Sequence, residues 1–148
     1  MRVPPSADHG TASTQNEVAI AVAGRNVVAA YQTAFAGDEA LELPVARPWV
    51  DHAWHLYVLR LRPAALRIGR DRFIDELAAC NIGTSVHFIP IHLHPFYRDK
   101  YGYRPEMFPV AYDSFRRMIS LPLNPRLSDQ DVADVIAAVL DVVRRHRR

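Results

Sequence analysis

His55-Leu-Tyr-Val-Leu-Arg-Leu61 is the stretch on which the fold turns. Tyr57, Leu59 and Leu61 share one face of an extended chain, and Leu56, Val58 and Arg60 share the other. Both faces are largely apolar, which predicts a central strand rather than an edge. Pro63 follows and ends it. Next comes Arg72-Phe-Ile-Asp-Glu-Leu-Ala-Ala-Cys80, where Phe73, Ile74, Leu77 and Ala78 make one buried stripe at helical spacing and Asp71 is the predicted N-cap. Gly83 marks a turn. Thr84-Ser-Val-His-Phe-Ile89 is then a β-branched run that reads as a second strand, able to pair in parallel with the first through the intervening helix.

Beyond Ile89 the character changes. Pro90 interrupts regular pairing, and His92, His94, Pro95, Phe96 and Tyr97 follow on a proline-stiffened segment. Three of the chain's seven histidines, His87, His92 and His94, lie between Thr84 and Tyr97. A strand that runs into a rigid loop rich in histidine and aromatic residues can present side chains to a ligand or a partner. From Tyr101 to Pro109 the breakers Gly102, Pro105 and Pro109 predict a loop. Pro109 suits the first position of a helix over Val110 to Met118, with Tyr112, Phe115 and Ile119 at helical spacing. Ile119-Ser-Leu-Pro-Leu123 reads as a short extended piece, and Pro122 assigns it to a sheet edge. The last helix is the best specified. Ser128 and Asp131 resemble a capping box, and Val132, Val135, Ile136, Val139, Leu140 and Val143 form its core stripe. Arg144, Arg145, Arg147 and Arg148 read as a solvated helix end whose charge suits the helix dipole.

At the other end, residues 1–23 are expected to be a disordered tail, since Pro4, Pro5, Gly10 and many small polar residues offer little to bury. An amphipathic helix should begin near Gly24, carry Val27, Val28, Tyr31, Ala34 and Phe35, and stop at Gly37. Leu41 to Pro48 reads as a connector or edge strand. Residues 24–148 are thus expected to form one small α/β domain: a sheet of about three strands with helices on one face.

Composition narrows the function classes. A net charge of +2 gives no reason to expect nucleic acid. No apolar run approaches the ~20 residues of a membrane span, and Met1 to Asn16 has no apolar core of a secretory signal. A single cysteine, Cys80, excludes an internal disulfide and fits a reducing compartment, so the cytoplasm is expected. There is no Gly-x-Ser-x-Gly nucleophile elbow and no phosphate-cradling glycine loop. His92 and His94 would share a side of an extended segment, but zinc sites take three or four protein ligands. His52 and His55 would face opposite ways in a strand, and His55 reads as a buried, hydrogen-bonded histidine.

Several of these segments together resemble the C-terminal part of the DegT/StrS-type sugar aminotransferases. They are Ala53-Trp-His-Leu-Tyr-Val-Leu-Arg-Leu61, Arg72-Phe-Ile with Leu77, and Asn81-Ile-Gly-Thr-Ser-Val-His-Phe-Ile-Pro-Ile-His92. Phe96-Tyr97, Tyr101-Gly-Tyr103, Phe108-Pro-Val-Ala111 and Ser120-Leu-Pro-Leu123 continue the match without a gap to about Val143. The resemblance implies the small domain of a dimeric fold-type I enzyme that uses pyridoxal phosphate to pass an amino group, usually from glutamate, to a nucleotide-linked keto sugar. It implies that His87 and Phe88 lie near the sugar, with Phe88 where many members carry tyrosine, and that His92 belongs to the same substrate-facing loop or orders it.

The resemblance also carries a subtraction. Residues ahead of Arg25 are unlike the family's large cofactor domain, and Lys100 is the only lysine. The expectation is a fragment that binds no pyridoxal phosphate alone, has no catalytic residue of its own, and works with a separate large-domain chain or as a homo-oligomer. Apolar surface that such a domain would cover is expected around Tyr31, Phe35 and the His87–Tyr97 loop. The alternatives are a non-catalytic sugar- or partner-binding module and a histidine-based metal protein.

Overall fold

The computed structural model describes residues 26–148. The expected tail over 1–23 and the first turn of the opening helix lie outside them. Within the described residues, helix α1 (26–35) buries Val27, Val28, Tyr31 and Phe35, and Gly37 turns the chain with φ 75°, a conformation that costs glycine little. Strands β1 (Leu41–Glu42) and β2 (Tyr57–Leu61) follow, then α2 (Arg70–Ala79), α3 (Pro95–Tyr101), α4 (Pro109–Arg117), β3 (Met118–Leu121) and α5 (Asp129–His146). Short 3-10 turns at Ile91–Leu93 and Pro105–Met107 flank α3.

The sheet has the order β1-β2-β3 and is antiparallel throughout. β2 is central, as its two-sided pattern predicts. Register sets Tyr57 opposite Leu121, Leu59 opposite Ile119 and Leu61 opposite Leu41. These residues make one face, and all are buried. Tyr31, Phe73, Leu77, Val135, Val139, Val142 and Val143 join them from α1, α2 and α5 in one core. The Tyr31 ring meets Tyr57 edge-on at 5.0 Å, and its hydroxyl donates to Pro122 O at 2.9 Å. On the second face Arg60 pairs with Glu42 directly across the ladder, and Arg117 from α4 reaches Glu42 at 2.9 Å and Asp113 at 2.6 Å.

Thr84–Ile89 is not a strand, and it does not pair with β2. Only Ser85 joins the sheet, through a single antiparallel bridge to Ser120 on the outer edge of β3. Because β3 is itself antiparallel to β2, the segment around Ser85 does run parallel to β2. β3 has inserted between the two ends of the strand-helix-strand unit. Pairing stops after one residue because Phe88 and Ile89 turn outward, 73% and 52% exposed, and Pro90 has no donor.

Other expectations shift more modestly. Helix α2 starts one residue before Asp71, with Gly69 as N-cap and no side-chain cap. Asp71 instead lies in the first turn, where its charge suits the helix dipole, and holds Arg70 at 2.6 Å. Phe73 and Leu77 are buried, but Ile74 is half-buried and Ala78 exposed. The capping box of α5 forms with aspartate: Asp131 N–H donates to Ser128 Oγ at 3.2 Å, and Ser128 N–H donates to Asp131 Oδ2 at 2.8 Å. Its buried stripe includes Ala138 and Val142, leaving Ile136 and Leu140 half-buried. The terminal arginines are exposed, as a solvated helix end should be, and some of them also form surface ion pairs. Arg145 spans Glu76 at 2.6 Å and Asp141 at 2.8 Å, Arg147 holds Asp38 at 2.7 Å, and Arg67 N–H donates to His146 O at 2.8 Å. Tyr31 and Phe35 are 0% and 1% exposed, so neither contributes open apolar surface.

Candidate functional site

The histidine- and aromatic-rich segment leaves the sheet at Ser85 and returns to it as β3. Its first candidate side chain is His87. The ring is half-buried, and Nδ1 lies 2.9 Å from Oγ of Ser120 on β3. Ser120 is only 4% exposed and stands opposite Val58, on the face away from the main core. The sheet thus anchors the imidazole by one edge. Phe88 stands against it edge-on, ring centres 4.7 Å apart, and is otherwise in the open. The peptide bond joining these two residues is cis.

His92 sits elsewhere in the segment. It lies in the Ile91–Leu93 turn, is 6% exposed, and stacks on Phe108 with ring centres 4.6 Å apart. Its Nε2 is buried and has no hydrogen-bond partner among the described residues. Of the three residues predicted to face substrate, the structure brings His87 and Phe88 together and sets His92 against Phe108. His94 points its Nε2 toward Ile89 O, 3.3 Å away, closing the same turn.

The expected histidine- and aromatic-rich loop runs into helix α3, started by Pro95 and stopped by Gly102 at φ 65°. None of its residues is buried. Rings of α3 and of the turns that flank it form a rib that runs from Phe96 through Tyr97, Tyr101 and Tyr103 to Phe108 and so to His92, with successive centres 4.6–6.2 Å apart. Lys100 Nζ rests 5.2 Å from the Phe96 ring and 5.5 Å from the Tyr101 ring, an attraction between a cation and two π faces.

His55 is exposed, contrary to the expected buried, bonded histidine, because β2 begins two residues later at Tyr57. Among the described residues no group of three or more His, Cys, Asp or Glu side chains converges as metal ligands do. No helix among them is long and apolar enough to cross a membrane. Sequence reasoning assigned no role to Ser120. The available signal was a lone hydroxyl in the apolar run Met118-Ile-Ser-Leu121.

The fold is that of aminotransferases. Spr1654 of Streptococcus pneumoniae, assigned as a sugar aminotransferase and solved in PLP, PMP and apo forms, superimposes with a TM-score of 0.80 at 28% identity over 92% of this chain and 34% of its own. The spore coat polysaccharide biosynthesis protein SpsC of Bacillus subtilis is 46% identical over 124 residues, 83% of this chain. MJ1066 of Methanocaldococcus jannaschii is 49% identical over 117 residues, 79% of this chain. A sequence model of the DegT/DnrJ/EryC1/StrS aminotransferase family matches residues 17–140, and the chain belongs to that family. It spans 30% of the length of MJ1066 and 31% of SpsC.

Pyridoxal phosphate asks a protein for a lysine amine, an acid facing the pyridine nitrogen, and donors around its phosphate. Lys100 is the chain's one lysine, and it lies exposed on α3 with its ammonium against two rings. Its carboxylate neighbour Asp99 is taken up by Arg98 at 2.8 Å. The described residues do not fit the cofactor.

Proposed function

We propose that residues 24–148 are the small, C-terminal domain of a sugar-nucleotide aminotransferase, with the His87–Phe88 pair facing a nucleotide-linked keto sugar during amino transfer from glutamate. His92 supports this site from below by holding Phe108 and the turn. The reading places the chain in the biosynthesis of polysaccharide or glycan sugars, in the cytoplasm. Taken alone, these 148 residues hold no pyridoxal phosphate and transfer no amino group; they act with a large cofactor domain, in an oligomer. One observation carries the reading: a chain of this family displays His87 and Phe88 from the sheet edge while its only lysine is spent on a surface rib.

The test is to incubate the pure chain with pyridoxal phosphate, reduce with borohydride and map the labelled peptide. Expected are sub-stoichiometric labelling and no amino transfer from glutamate to a nucleotide-linked keto sugar. Stoichiometric, specific labelling of Lys100, with amino transfer abolished by Lys100→Ala, would make the chain a complete enzyme and sink the proposal.

A second reading, a non-catalytic binding module, draws on one specific feature. The rib from Phe96 to Tyr101 offers exposed ring faces of the kind on which sugars and bases stack. It predicts saturable binding of a sugar nucleotide by the isolated chain.

A further inference from the structure

We propose that Ser120 is a positioning residue that fixes the tautomer of His87 and thereby decides what the ring offers to a ligand. The argument begins with the hydroxyl. Ser120 is 4% exposed, so its proton needs an acceptor inside the protein. Among the described residues its side chain has one hydrogen-bond partner, His87 Nδ1, at 2.9 Å. The hydroxyl therefore donates, and Nδ1 is the bare, accepting nitrogen. A neutral imidazole with a bare Nδ1 carries its proton on Nε2.

The backbone holds this arrangement in place. Ser120 N–H donates to Ser85 O at 2.8 Å, and Ser85 N–H donates to Ser120 O at 3.2 Å. The bridge ties β3 to the chain two residues before His87, so the acceptor ring is held close to the strand that carries the donor. Phe88 stands edge-on to the ring, centres 4.7 Å apart. Nε2 makes no hydrogen bond among the described residues and is not among the buried unpartnered atoms. It is the nitrogen left for a ligand, and it arrives as an N–H donor. The matching ligand atom is an acceptor oxygen, such as a sugar hydroxyl, a sugar carbonyl or a diphosphate oxygen. This makes His87 a fixed hydrogen-bond donor and not a general base. The ligand half of the inference rests on the sugar-nucleotide reading above; the tautomer half does not.

The experiment is nuclear magnetic resonance on the full 148-residue chain with isotope-labelled histidine. The pH is held well above the ordinary histidine value of about 6.5. His87 is assigned by the resonances that vanish in His87→Gln. Expected in the unsubstituted chain is a single-tautomer pattern with Nε2 protonated and Nδ1 bare. Ser120→Ala should lose it, giving averaged nitrogen shifts, while Ser120→Thr should restore it. A merely structural role for Ser120 would not move this signature while the unfolding transition stays cooperative. A protonated Nδ1 in the unsubstituted chain, or an unchanged pattern in a folded Ser120→Ala, would overturn the assignment. The first of those readouts stands even if Ser120→Ala fails to fold. Titration with UDP-N-acetylglucosamine then reads the ligand half separately. A shift confined to Nε2 supports it. A fixed tautomer with the nucleotide-sugar response on Nδ1 in place of Nε2 removes the ligand role and leaves the positioning role intact.

Discussion

Helices α5 and α3 make opposite uses of apolar residues. α5 sends Val132, Val135, Ala138, Val139, Val142 and Val143 into the core. α3 carries Phe96, Tyr97 and Tyr101 and buries none of them. Burial is worth about 25 cal/mol per Å2 of apolar surface removed from water, so the first helix is held by its own domain and the second gains little from it. The 3-10 turns and α4 extend the contrast, with Ile91, Met107 and Val110 exposed as well. Exposed apolar residues, when contiguous, are what contact surfaces are built from, and that is the expectation the open side puts to the test.

Breaking the packed side should have the largest effect. Val139 is 0% exposed at the centre of the α5 stripe. Val139→Asp would bury a carboxylate among valines and leucines with no partner, which costs several kcal/mol and exceeds much of a small domain's stability. Circular dichroism should show an unfolded or precipitating chain. A folded, soluble variant would mean that the stripe faces water.

Acid comes next, and it acts on the clamp between α2 and α5. The hydrogen bond from Arg145, with Arg72 adding, holds Glu76 below its usual 4.5. Arg144 and then Arg145 hold Asp141 below its usual 3.8. Both carboxyls are depressed in the folded chain, so the unfolded chain binds protons first. Their contribution is complete above the unfolded values and is lost as pH falls through the folded ones. Unfolding midpoints should therefore drop below about pH 4.5, and Glu76→Gln should flatten that slope. A Glu76→Gln profile parallel to that of the unsubstituted chain would show the clamp to be energetically idle.

Two tyrosines in the same core refine the packed side further. Burial pushes the Tyr57 hydroxyl up to about 12, and burial together with the neighbouring Tyr57 pushes Tyr31 up as well. Among the described residues only Tyr31 has a partner, Pro122 O at 2.9 Å; the Tyr57 hydroxyl is buried without one. Tyr31→Phe should cost about 1 kcal/mol, whereas Tyr57→Phe should be neutral or slightly stabilising. Chemical denaturation of both variants checks the pair. Equal losses would show that Tyr57 also has a partner.

The packed side was legible because periodicity reports burial. The alternation of Tyr57, Leu59 and Leu61 in β2 and the capping box at Ser128 and Asp131 are legible from spacing alone, although the strand starts two residues after His55. What the pattern could not show was who pairs with whom. Thr84–Ile89 has strand composition, yet β3, from some thirty residues later, takes the place beside β2 and leaves Ser85 a single bridge. Local composition carries no term for that competition. The same blindness applied to the aromatics: Tyr31 and Phe96 look alike as letters, and one is fully buried while the other is 61% exposed. At the site, the His87–Phe88 pair was legible as a motif. Ser120 was not, since its role depends on a side-chain contact across 33 positions.

The smallest expected effect on stability comes from the open side, and it sharpens the comparison most. Ile91 is 64% exposed and Phe96 61%. Replacing both with serine removes apolar surface that the fold does not cover, so the denaturation midpoint should move by no more than about 0.5 kcal/mol. Association should respond instead. The unsubstituted chain presents Phe88, Ile89, Ile91, Phe96 and Met107 to water and is expected to self-associate as concentration rises. Sedimentation of the Ile91→Ser, Phe96→Ser double variant should show a smaller weight-average mass at the same concentration. Serine at helix position 96 also costs a few tenths of a kcal/mol in propensity, so a loss within that margin still belongs to the open-surface account. A loss of several kcal/mol would mean that α3 is packed after all. An unsubstituted chain that stays strictly monomeric across a wide concentration range would mean that this face needs no partner to cover it.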